Sequence, residues 1–295
     1  MFTDVHSLHS LRRSLRREIG TTHPDPEADS MASLVLDHLG ITRDMILREP
    51  HREPSPEILA QIKEIVHEIH TNRPLQYILG HTQFRDLSLR VREGVLIPRP
   101  ETEEMVHHIL ASQTLPPARV LDLGTGSGCL ALALKQIWPE ARVQAVDISE
   151  QALAVARENG LLNRLDVDWI RADLRDTEGI RTLVPDPGPR GWDLIVSNPP
   201  YVRESEARFM QANVLDHEPK EALFVPDQDP LLHYRAIAAL ARTTLNPGGH
   251  LWLEINEFLG KETLDLFRDL GPGTCRLVRD IHDKNRFLHV RTATP

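Results

Sequence analysis

The sequence has little cysteine, no long apolar run and no excess of basic residues, and each shortage excludes a class of protein. Its 295 residues include two cysteines; Cys129 and Cys275 lie far apart and provide neither a disulfide framework nor a four-cysteine metal site. No apolar stretch approaches the roughly 20 residues of a membrane-spanning helix. Residues 1–20 contain arginines but lack the apolar core of a secretory signal. We therefore predict a globular protein of a reducing cytoplasm, without membrane contact.

The charge balance argues against a nucleic-acid-binding protein. The formal net charge is −9, which disfavours non-specific attraction to phosphate backbones. The one dense basic stretch, residues 11–18, is explained by the solvated face of an amphipathic helix, because Leu8, Leu11 and Leu15 share the spacing of a helix face. We expect no direct contact with nucleic acid.

Helical patterns fill residues 1–79. After the N-terminal helix, Asp25–Asp29 precedes a second helical pattern that Gly40 closes. A third helix begins with Ser55 as N-cap and Pro56 in the first turn. Its apolar stripe consists of Ile58, Ile62, Ile65 and Ile69. We predict a small helical domain over 1–79.

The period changes to that of strands at residues 83–97. Phe84, Leu87, Leu89 and Val91 alternate with polar neighbours, and Glu93-Gly94 then precedes the apolar run at 95–98. This pattern predicts a β-hairpin with its turn at Glu93-Gly94, in a linker that spans 80–98 and bridges two domains.

Strands and helices alternate in the remaining segment, 99–295. Near-continuous apolar strands that alternate with amphipathic helices predict a parallel sheet buried on both faces, a doubly wound α/β domain. The last two strands are joined by a short turn and so form an antiparallel ending. The predicted strands are 119–124, 142–147, 167–174, 192–198, 249–255, 274–280 and 286–292.

A glycine-rich loop follows the first strand of this sheet. Asp122-Leu-Gly-Thr-Gly-Ser-Gly128 lets the backbone turn sharply and lets a ligand approach without a Cβ in the way. The dinucleotide fingerprint is G-x-G-x-x-G; here the third glycine comes one residue early and Cys129 stands in its place, which disfavours a dehydrogenase. A merely tight strand–helix turn is the alternative interpretation.

Asp147 ends the second strand, about 20 residues beyond the glycines. A carboxylate there suits a ribose diol, because each oxygen accepts a hydrogen bond from one hydroxyl, and it would repel a 2′-phosphate. The loop together with Asp147 resembles the Rossmann-like methyltransferases that use S-adenosylmethionine. This resemblance implies a class I fold with a mostly parallel seven-stranded sheet and an antiparallel C-terminal strand.

The same resemblance implies a set of cofactor contacts. The loop would pass the methionine portion, Asp147 would hold the ribose, and Asp173, after the third strand, would lie beside the adenine. On local grounds Asp173 could equally be a helix N-cap. The implied cofactor-binding residues are Asp122, Gly124, Thr125, Gly126, Gly128, Asp147, Asp173 and Asn198.

The fourth strand ends in SNPPY, at the sheet edge where ligands bind. Asn198 provides a carboxamide, and Tyr201 provides a flat face. Pro199 and Pro200 stiffen the loop, and the Pro199 carbonyl is not required for a helix or sheet hydrogen bond. Two acceptors and a stacking wall suit a planar –NH2 group, which they would hold for in-line attack on a methyl group. We expect these four residues to be catalytic, without a metal, a covalent intermediate or a strong general base. A stiffened turn with a packed tyrosine is the alternative.

Asn-Pro-Pro-Tyr resembles the signature of methyltransferases that act on adenine N6 or on a glutamine amide. The wider chain, with RPLQYILG at 73–80 and VLIPRPETE at 95–103, resembles the protein-(glutamine-N5) methyltransferases called HemK or PrmC. That resemblance implies methylation of the Gly-Gly-Gln glutamine of peptide chain release factors, with the four SNPPY residues Asn198–Tyr201 and also Arg99 and Glu101 binding substrate. A surface ion pair at a helix start is the alternative for Arg99 and Glu101.

Other functions stay open at this point. They are glutamine methylation of a ribosomal protein, adenine-N6 methylation of nucleic acid, and a non-catalytic cofactor-binding protein. Glu218 and Glu254 also stand where the family has acids, whereas Asn256 replaces an expected glycine. His67 and His70 lack the spacing of a zinc site. We expect a monomer whose helical domain recognises the protein partner.

Overall fold

The computed structural model describes residues 5–183, 191–270 and 274–294. It divides into two compact units, one of Met1–Gly80 with Ala212–His217 and the other of His81–Gln211 with Glu218–Pro295. The Pro- and Gly-rich loop predicted before Trp192 and the predicted helix end at Gly271 lie outside the described residues. Within those residues, no helix combines the length and the apolar character that crossing a bilayer requires.

The first unit is helical, as predicted, and its helices begin where capping chemistry allows. Ser55 Oγ accepts a hydrogen bond from Ile58 N at 3.3 Å, which confirms it as an N-cap. Asp25–Asp29 does not precede the second helix but forms its first turn, because Pro26 and the acidic Asp25 and Glu27 suit a helix N-terminus. The five N-terminal helices are α1 Leu8–Ile19, α2 Asp25–His38, α3 Arg43–Arg48, α4 Pro56–His70 and α5 Leu75–Leu79.

The predicted hairpin exists, but its turn was placed wrongly. β1 (His81–Phe84) pairs antiparallel with β2 (Leu87–Arg90), and Phe84 faces Leu87 across a two-residue loop. Arg85 in that loop has φ 53°, a left-handed conformation that tight hairpins require. Phe84 and Leu87 lie on the same face of the hairpin because they are cross-strand partners. They do not belong to one strand with alternating side chains. The run at 95–98 is not a strand, and the hairpin belongs to the second unit.

A seven-stranded sheet forms the centre of the second unit and confirms the predicted fold class. All its strands run in one direction except β11, next to last in the sheet, which is antiparallel to both neighbours. Its spatial order is β10-β11-β9-β6-β3-β4-β5. The strands are β3 Arg119–Leu123, β4 Arg142–Asp147, β5 Asp168–Arg171, β6 Trp192–Ser197, β9 Leu245–Glu254, β10 Thr274–Arg279 and β11 Asn285–Arg291; β7 Val202–Arg203 and β8 Phe224–Val225 form a separate parallel pair.

Helices cover both faces of the sheet, so alternate residues of one strand enter different cores. On β9, Trp252 packs with one cluster while Leu251 and Leu253 pack with the other. This two-sided burial is what the near-continuous apolar strands predicted. The remaining helices are α6 Pro100–Ser112, α7 Cys129–Ile137, α8 Glu150–Asn163, α9 Thr177–Leu183, α10 Ala212–His217 (in the first unit), α11 Lys220–Leu223, α12 Leu232–Thr244 and α13 Gly260–Phe267.

Two buried histidines lie side by side within the sheet. His250 on β9 and His289 on β11 place Nδ1 and Nε2 at 3.0 Å, and the His289 ring stacks on Trp252 at 4.2 Å. Burial lowers the pKa of His250 to about 4. Burial, followed by the charges of His250, Arg276 and Arg291, lowers the pKa of His289 to about 3. The folded protein therefore holds both rings neutral.

We predict that this pair weakens the second unit in acid. Because the unfolded chain binds a proton to each ring near pH 6.5 and the folded chain does so only near pH 3–4, the free energy of unfolding falls as pH falls through this window, by up to about 1.4 kcal/mol per pH unit for each ring. His250→Phe/His289→Phe should flatten this dependence. Urea unfolding followed by tryptophan fluorescence between pH 7.5 and 4.5 measures it.

The matched control is His282→Phe, since His282 is exposed in the turn between β10 and β11. It should keep the wild-type pH dependence. An unchanged dependence in the double variant would contradict the neutral, buried state of the pair.

Candidate active site

A cavity of about 580 Å³ opens at the carboxyl ends of the parallel strands in the second unit. Its walls come from the loops that follow β3, β4, β5 and β6, from residues 94–99 and from the segment around α11 and the start of α12. This is the sheet edge where doubly wound proteins bind ligands. The volume lies within the range of roughly 300–1,000 Å³ that is usual for small-molecule sites.

The glycine loop forms one wall of the cavity, and Asp122 holds this loop by a hydrogen bond. Gly124, Gly126 and Thr125 line the cavity, whereas Asp122 does not and is fully buried. Asp122 Oδ2 accepts from Thr125 Oγ1 at 2.6 Å and from Ala131 N at 3.2 Å. Oδ1 has no hydrogen-bond partner among the described residues. Burial raises the pKa of Asp122 to about 7, against the lowering effect of those two donors.

Gly128 explains why the third glycine comes early. It has φ +84°, and a Cβ built on it would lie 2.8 Å from the Trp169 ring. The chain turns into α7 directly after it, with Gly128 as the helix N-cap. Gly128 is thus required by packing against β5, and it is not among the cavity-lining residues.

Asp147 ends β4, as predicted, and it lines the cavity. Its Oδ2 accepts from Gly126 N at 2.8 Å and its Oδ1 from Ser149 N at 2.9 Å, so it ties the glycine loop to the end of β4. Burial raises its pKa, and the backbone donors oppose that shift. Because a carboxylate oxygen has two lone pairs, each oxygen still has one acceptor position for a diol.

Asp173 also lines the cavity, but Arg175 occupies its carboxylate. The Arg175 guanidinium contacts both oxygens, with Nη2 at 2.6 Å from Oδ2, and Arg175 N donates to Oδ1 at 2.8 Å. This partner lowers the pKa of Asp173. Asp173 is not a helix N-cap, since α9 begins at Thr177 and it is Asp176 that accepts from Gly179 N.

Asn198 lies on the cavity wall at the end of β6, and a hydrogen bond holds its side-chain amide in place. Asn198 Nδ2 donates to Thr102 Oγ1 at 3.1 Å. Thr102 Oγ1 in turn donates to Glu254 Oε2 at 2.9 Å. No described residue donates to Asn198 Oδ1, so its carbonyl oxygen remains an available acceptor.

The other three residues predicted to be catalytic, Pro199, Pro200 and Tyr201, occupy different positions. Pro200 lines the cavity, whereas Pro199 and Tyr201 are not among the lining residues. The Tyr201 hydroxyl donates to Glu254 Oε1 at 2.7 Å, and the ring packs against the second core cluster. The Tyr201 carbonyl accepts from Asn256 Nδ2 at 3.1 Å. Asn256, which replaces the glycine expected from the resemblance, therefore helps to hold this loop.

Arg99 and Glu101 do not form the ion pair that was one alternative. Arg99 lines the cavity, and its Nη2 contacts Glu218 Oε1 at 2.6 Å. Glu218 is buried, and its second oxygen accepts from Ile97 N at 3.2 Å. The Arg99–Glu218 pair thus fixes residues 97–99 at the cavity wall. Glu101 is not a lining residue.

No role was predicted from the sequence for Thr102, Glu218 or Glu254. Glu218 and Glu254 were noticed only as acids that match the resemblance. Thr102 could have been found, because it continues the helix face of Met105, Val106 and Ile109 and is therefore a polar residue on a buried face. Among the described residues, no group of acidic, histidine or cysteine side chains could hold a metal ion.

Comparison with known families matches both units. The family described as the PrmC N-terminal domain matches residues 10–80. The family described as the methyltransferase small domain matches residues 102–224. The second match covers the glycine loop, Asp147, Asp173 and the SNPPY loop.

Among solved structures, the 16S rRNA N2 G1207 methyltransferase (RsmC) of T. thermophilus, in complex with AdoMet and guanosine, is similar in fold. It has a TM-score of 0.51 and 18% identity, covering 72% of this chain and 49% of that one. This similarity concerns the fold alone.

Curated relatives resemble the chain over nearly its whole length. A release factor glutamine methyltransferase of Bacteroides thetaiotaomicron is 39% identical over 282 residues, which are 93% of this chain and 96% of the relative. One of Streptomyces coelicolor is 34% identical over 94% of each chain. With identity at this level across both units, the chain belongs to the release factor glutamine methyltransferase family.

Proposed function

We propose that the protein transfers a methyl group from S-adenosylmethionine to the side-chain amide nitrogen N5 of the glutamine in the Gly-Gly-Gln tripeptide of peptide chain release factors. The observation that carries the proposal is the similarity to a release factor glutamine methyltransferase over 93% of the chain. This similarity extends over both units. The cavity and the SNPPY loop support the chemistry.

The cavity residues fit S-adenosylmethionine. Gly124 and Gly126 present backbone without side chains at the wall, and a Cβ built on either would meet no atom within 4 Å, which leaves room for a ligand. Asp147 keeps an acceptor position on each oxygen for a ribose diol. When bound, S-adenosylmethionine supplies a methyl group made electrophilic by the sulfonium. The adenine contact assigned to Asp173 would have to share that carboxylate with Arg175.

Asn198 is suited to bind a substrate amide. An amide nitrogen is a weak nucleophile because its lone pair is delocalised into the carbonyl. Asn198 Oδ1 accepts one N–H of the –NH2 group, and the Pro199 carbonyl is proposed to accept the other. As positive charge develops on the nitrogen these fixed dipoles bind more tightly, which stabilises the transition state. Pro200 stiffens the loop and so limits the reorganisation that this requires.

The two units have separate proposed tasks. The second unit contains the cavity and all residues to which catalysis is assigned, and the helical unit is proposed to recognise the release factor. A monomeric state, a cytoplasmic location and the absence of direct nucleic-acid binding stay predictions.

We predict that incubation with methyl-labelled S-adenosylmethionine and a release factor places label on the glutamine of Gly-Gly-Gln. Asn198→Ala should lower kcat by roughly 100-fold or more, because it removes one fixed dipole at the reacting nitrogen. Peptide mass spectrometry locates the label, and a filter assay gives the rate.

The matched control is Asn246→Ala. Asn246 bonds Gly191 O and Asp193 Oδ1 near the start of β9, at the opposite end of the strand from the cavity, so this variant loses two hydrogen bonds without touching the site. It should retain the wild-type kcat. Label on DNA or on a ribosomal protein, with none on the release factor, would refute the proposed substrate.

Two glycine variants separate ligand contact from packing. Both Gly124 (φ +72°) and Gly128 (φ +84°) are left-handed, so alanine at either should cost about 1–2 kcal/mol of stability. Gly128→Ala should lose a further ~1–3 kcal/mol because its Cβ overlaps Trp169. Gly124→Ala should instead weaken binding of S-adenosylhomocysteine, measured by calorimetry. Equal stabilities, or an unchanged Kd for Gly124→Ala, would contradict this division.

A further inference from the structure

A chain of hydrogen bonds runs from the cavity wall into the core. Asn198 Nδ2 donates to Thr102 Oγ1 at 3.1 Å, and Thr102 Oγ1 donates to Glu254 Oε2 at 2.9 Å. The other oxygen of Glu254 accepts the Tyr201 hydroxyl at 2.7 Å. Thr102 is 2% exposed and Glu254 1%, so the chain is buried, and it reaches the cavity wall that Thr102 also lines.

With Glu254 ionised, the direction of each bond in this chain is determined. An ionised carboxylate only accepts, so Thr102 must give its single hydroxyl proton to Glu254. The Thr102 oxygen then has lone pairs but no proton for Asn198, and Asn198 must donate through Nδ2. The planar amide consequently has its Oδ1 on the other side. A flipped amide would face one acceptor with another and leave a buried group unpaired, which is unfavourable.

We propose that Thr102 and Glu254 are positioning residues that fix the amide orientation of Asn198, so that its acceptor Oδ1 and not its donor Nδ2 meets the substrate –NH2. This inference rests on the proposed function, because only a donor group on the substrate makes the orientation matter. Glu254 does not line the cavity, and the Thr102 hydroxyl is engaged by Asn198 and Glu254.

The test compares three variants with wild type. Thr102→Val keeps the shape of the side chain and removes the hydroxyl, and Thr102→Ser keeps the hydroxyl. Glu254→Gln leaves one acceptor oxygen and adds an –NH2 that can donate to Thr102 or to Tyr201, so it no longer imposes one orientation on the Asn198 amide. We expect kcat on the release factor to fall about 100-fold in Thr102→Val and by a smaller factor in Glu254→Gln. KM and the Kd of S-adenosylhomocysteine should stay within about twofold, and Thr102→Ser should recover most of the rate.

A double-mutant cycle separates positioning from stability. In the Asn198→Ala background Thr102→Val should have no further effect on kcat, since the group that it orients is gone. The control is Thr263→Val on α13, because Thr263 is also buried and its hydroxyl has no hydrogen-bond partner among the described residues. It should leave kcat unchanged.

A second readout does not depend on activity. The side-chain amide protons of Asn198, assigned in NMR spectra by their loss in Asn198→Ala, should exchange slowly in wild type and Thr102→Ser but quickly in Thr102→Val. Wild-type kcat in Thr102→Val, additive effects in the cycle, or fast exchange in wild type would each overturn the positioning role. Slow exchange in wild type without label on the release factor would instead contradict the proposed function and leave the orientation intact.

Discussion

A carboxylate accepts hydrogen bonds and donates none, and the walls of the cavity depend on this constraint. Asp122 holds Thr125 and the start of α7, Asp147 holds Gly126 and Ser149, Glu218 holds Ile97 and Arg99, and Glu254 holds Thr102 and Tyr201. In every case the acid lies at a strand end or in a loop and fixes a neighbouring segment. Because acceptors determine which partner must donate, these four acids also determine the polarity of the groups that surround them.

Burying these acids has an energetic cost, which the hydrogen bonds to neighbouring segments offset. Burial raises the pKa of Asp122, Asp147 and Glu254, and the hydrogen-bond donors around each acid oppose that shift. The ionised state and the loop conformation therefore support each other. A loop that moved away would leave a charge buried without partners, which is strongly unfavourable.

The sequence predicted which residues lie at the carboxyl ends of the strands, but it did not predict which side chains contact each other there. Strand periodicity predicted the ends of β3, β4 and β6, and parallel strands bring those ends to one edge, so the glycine loop, Asp147 and Asn198 were found from local pattern. Thr102 and Glu254 are 152 positions apart and Arg99 and Glu218 are 119 apart. No local spacing encodes such pairs, since they exist only after α6 and residues 97–99 have packed. The hairpin turn was missed because the three-residue spacing between Phe84 and Leu87, which breaks the period of two, was taken as part of one strand.

Asn198 Oδ1 and the proposed second acceptor, the Pro199 carbonyl, form a slot for the substrate amide. This slot limits which substrates the protein can select. Asn198 and the Pro199 carbonyl would hold only the terminal –CONH2 group, which glutamine shares with asparagine and which is present in nearly every protein. A slot of this kind supplies the chemistry but little discrimination, because specificity requires contacts that a competitor lacks. Partner choice must therefore depend on residues beyond the slot. The helical unit has its own core, matches the PrmC N-terminal domain over residues 10–80 and contains no residue assigned to catalysis, which supports the proposal that it recognises the protein partner.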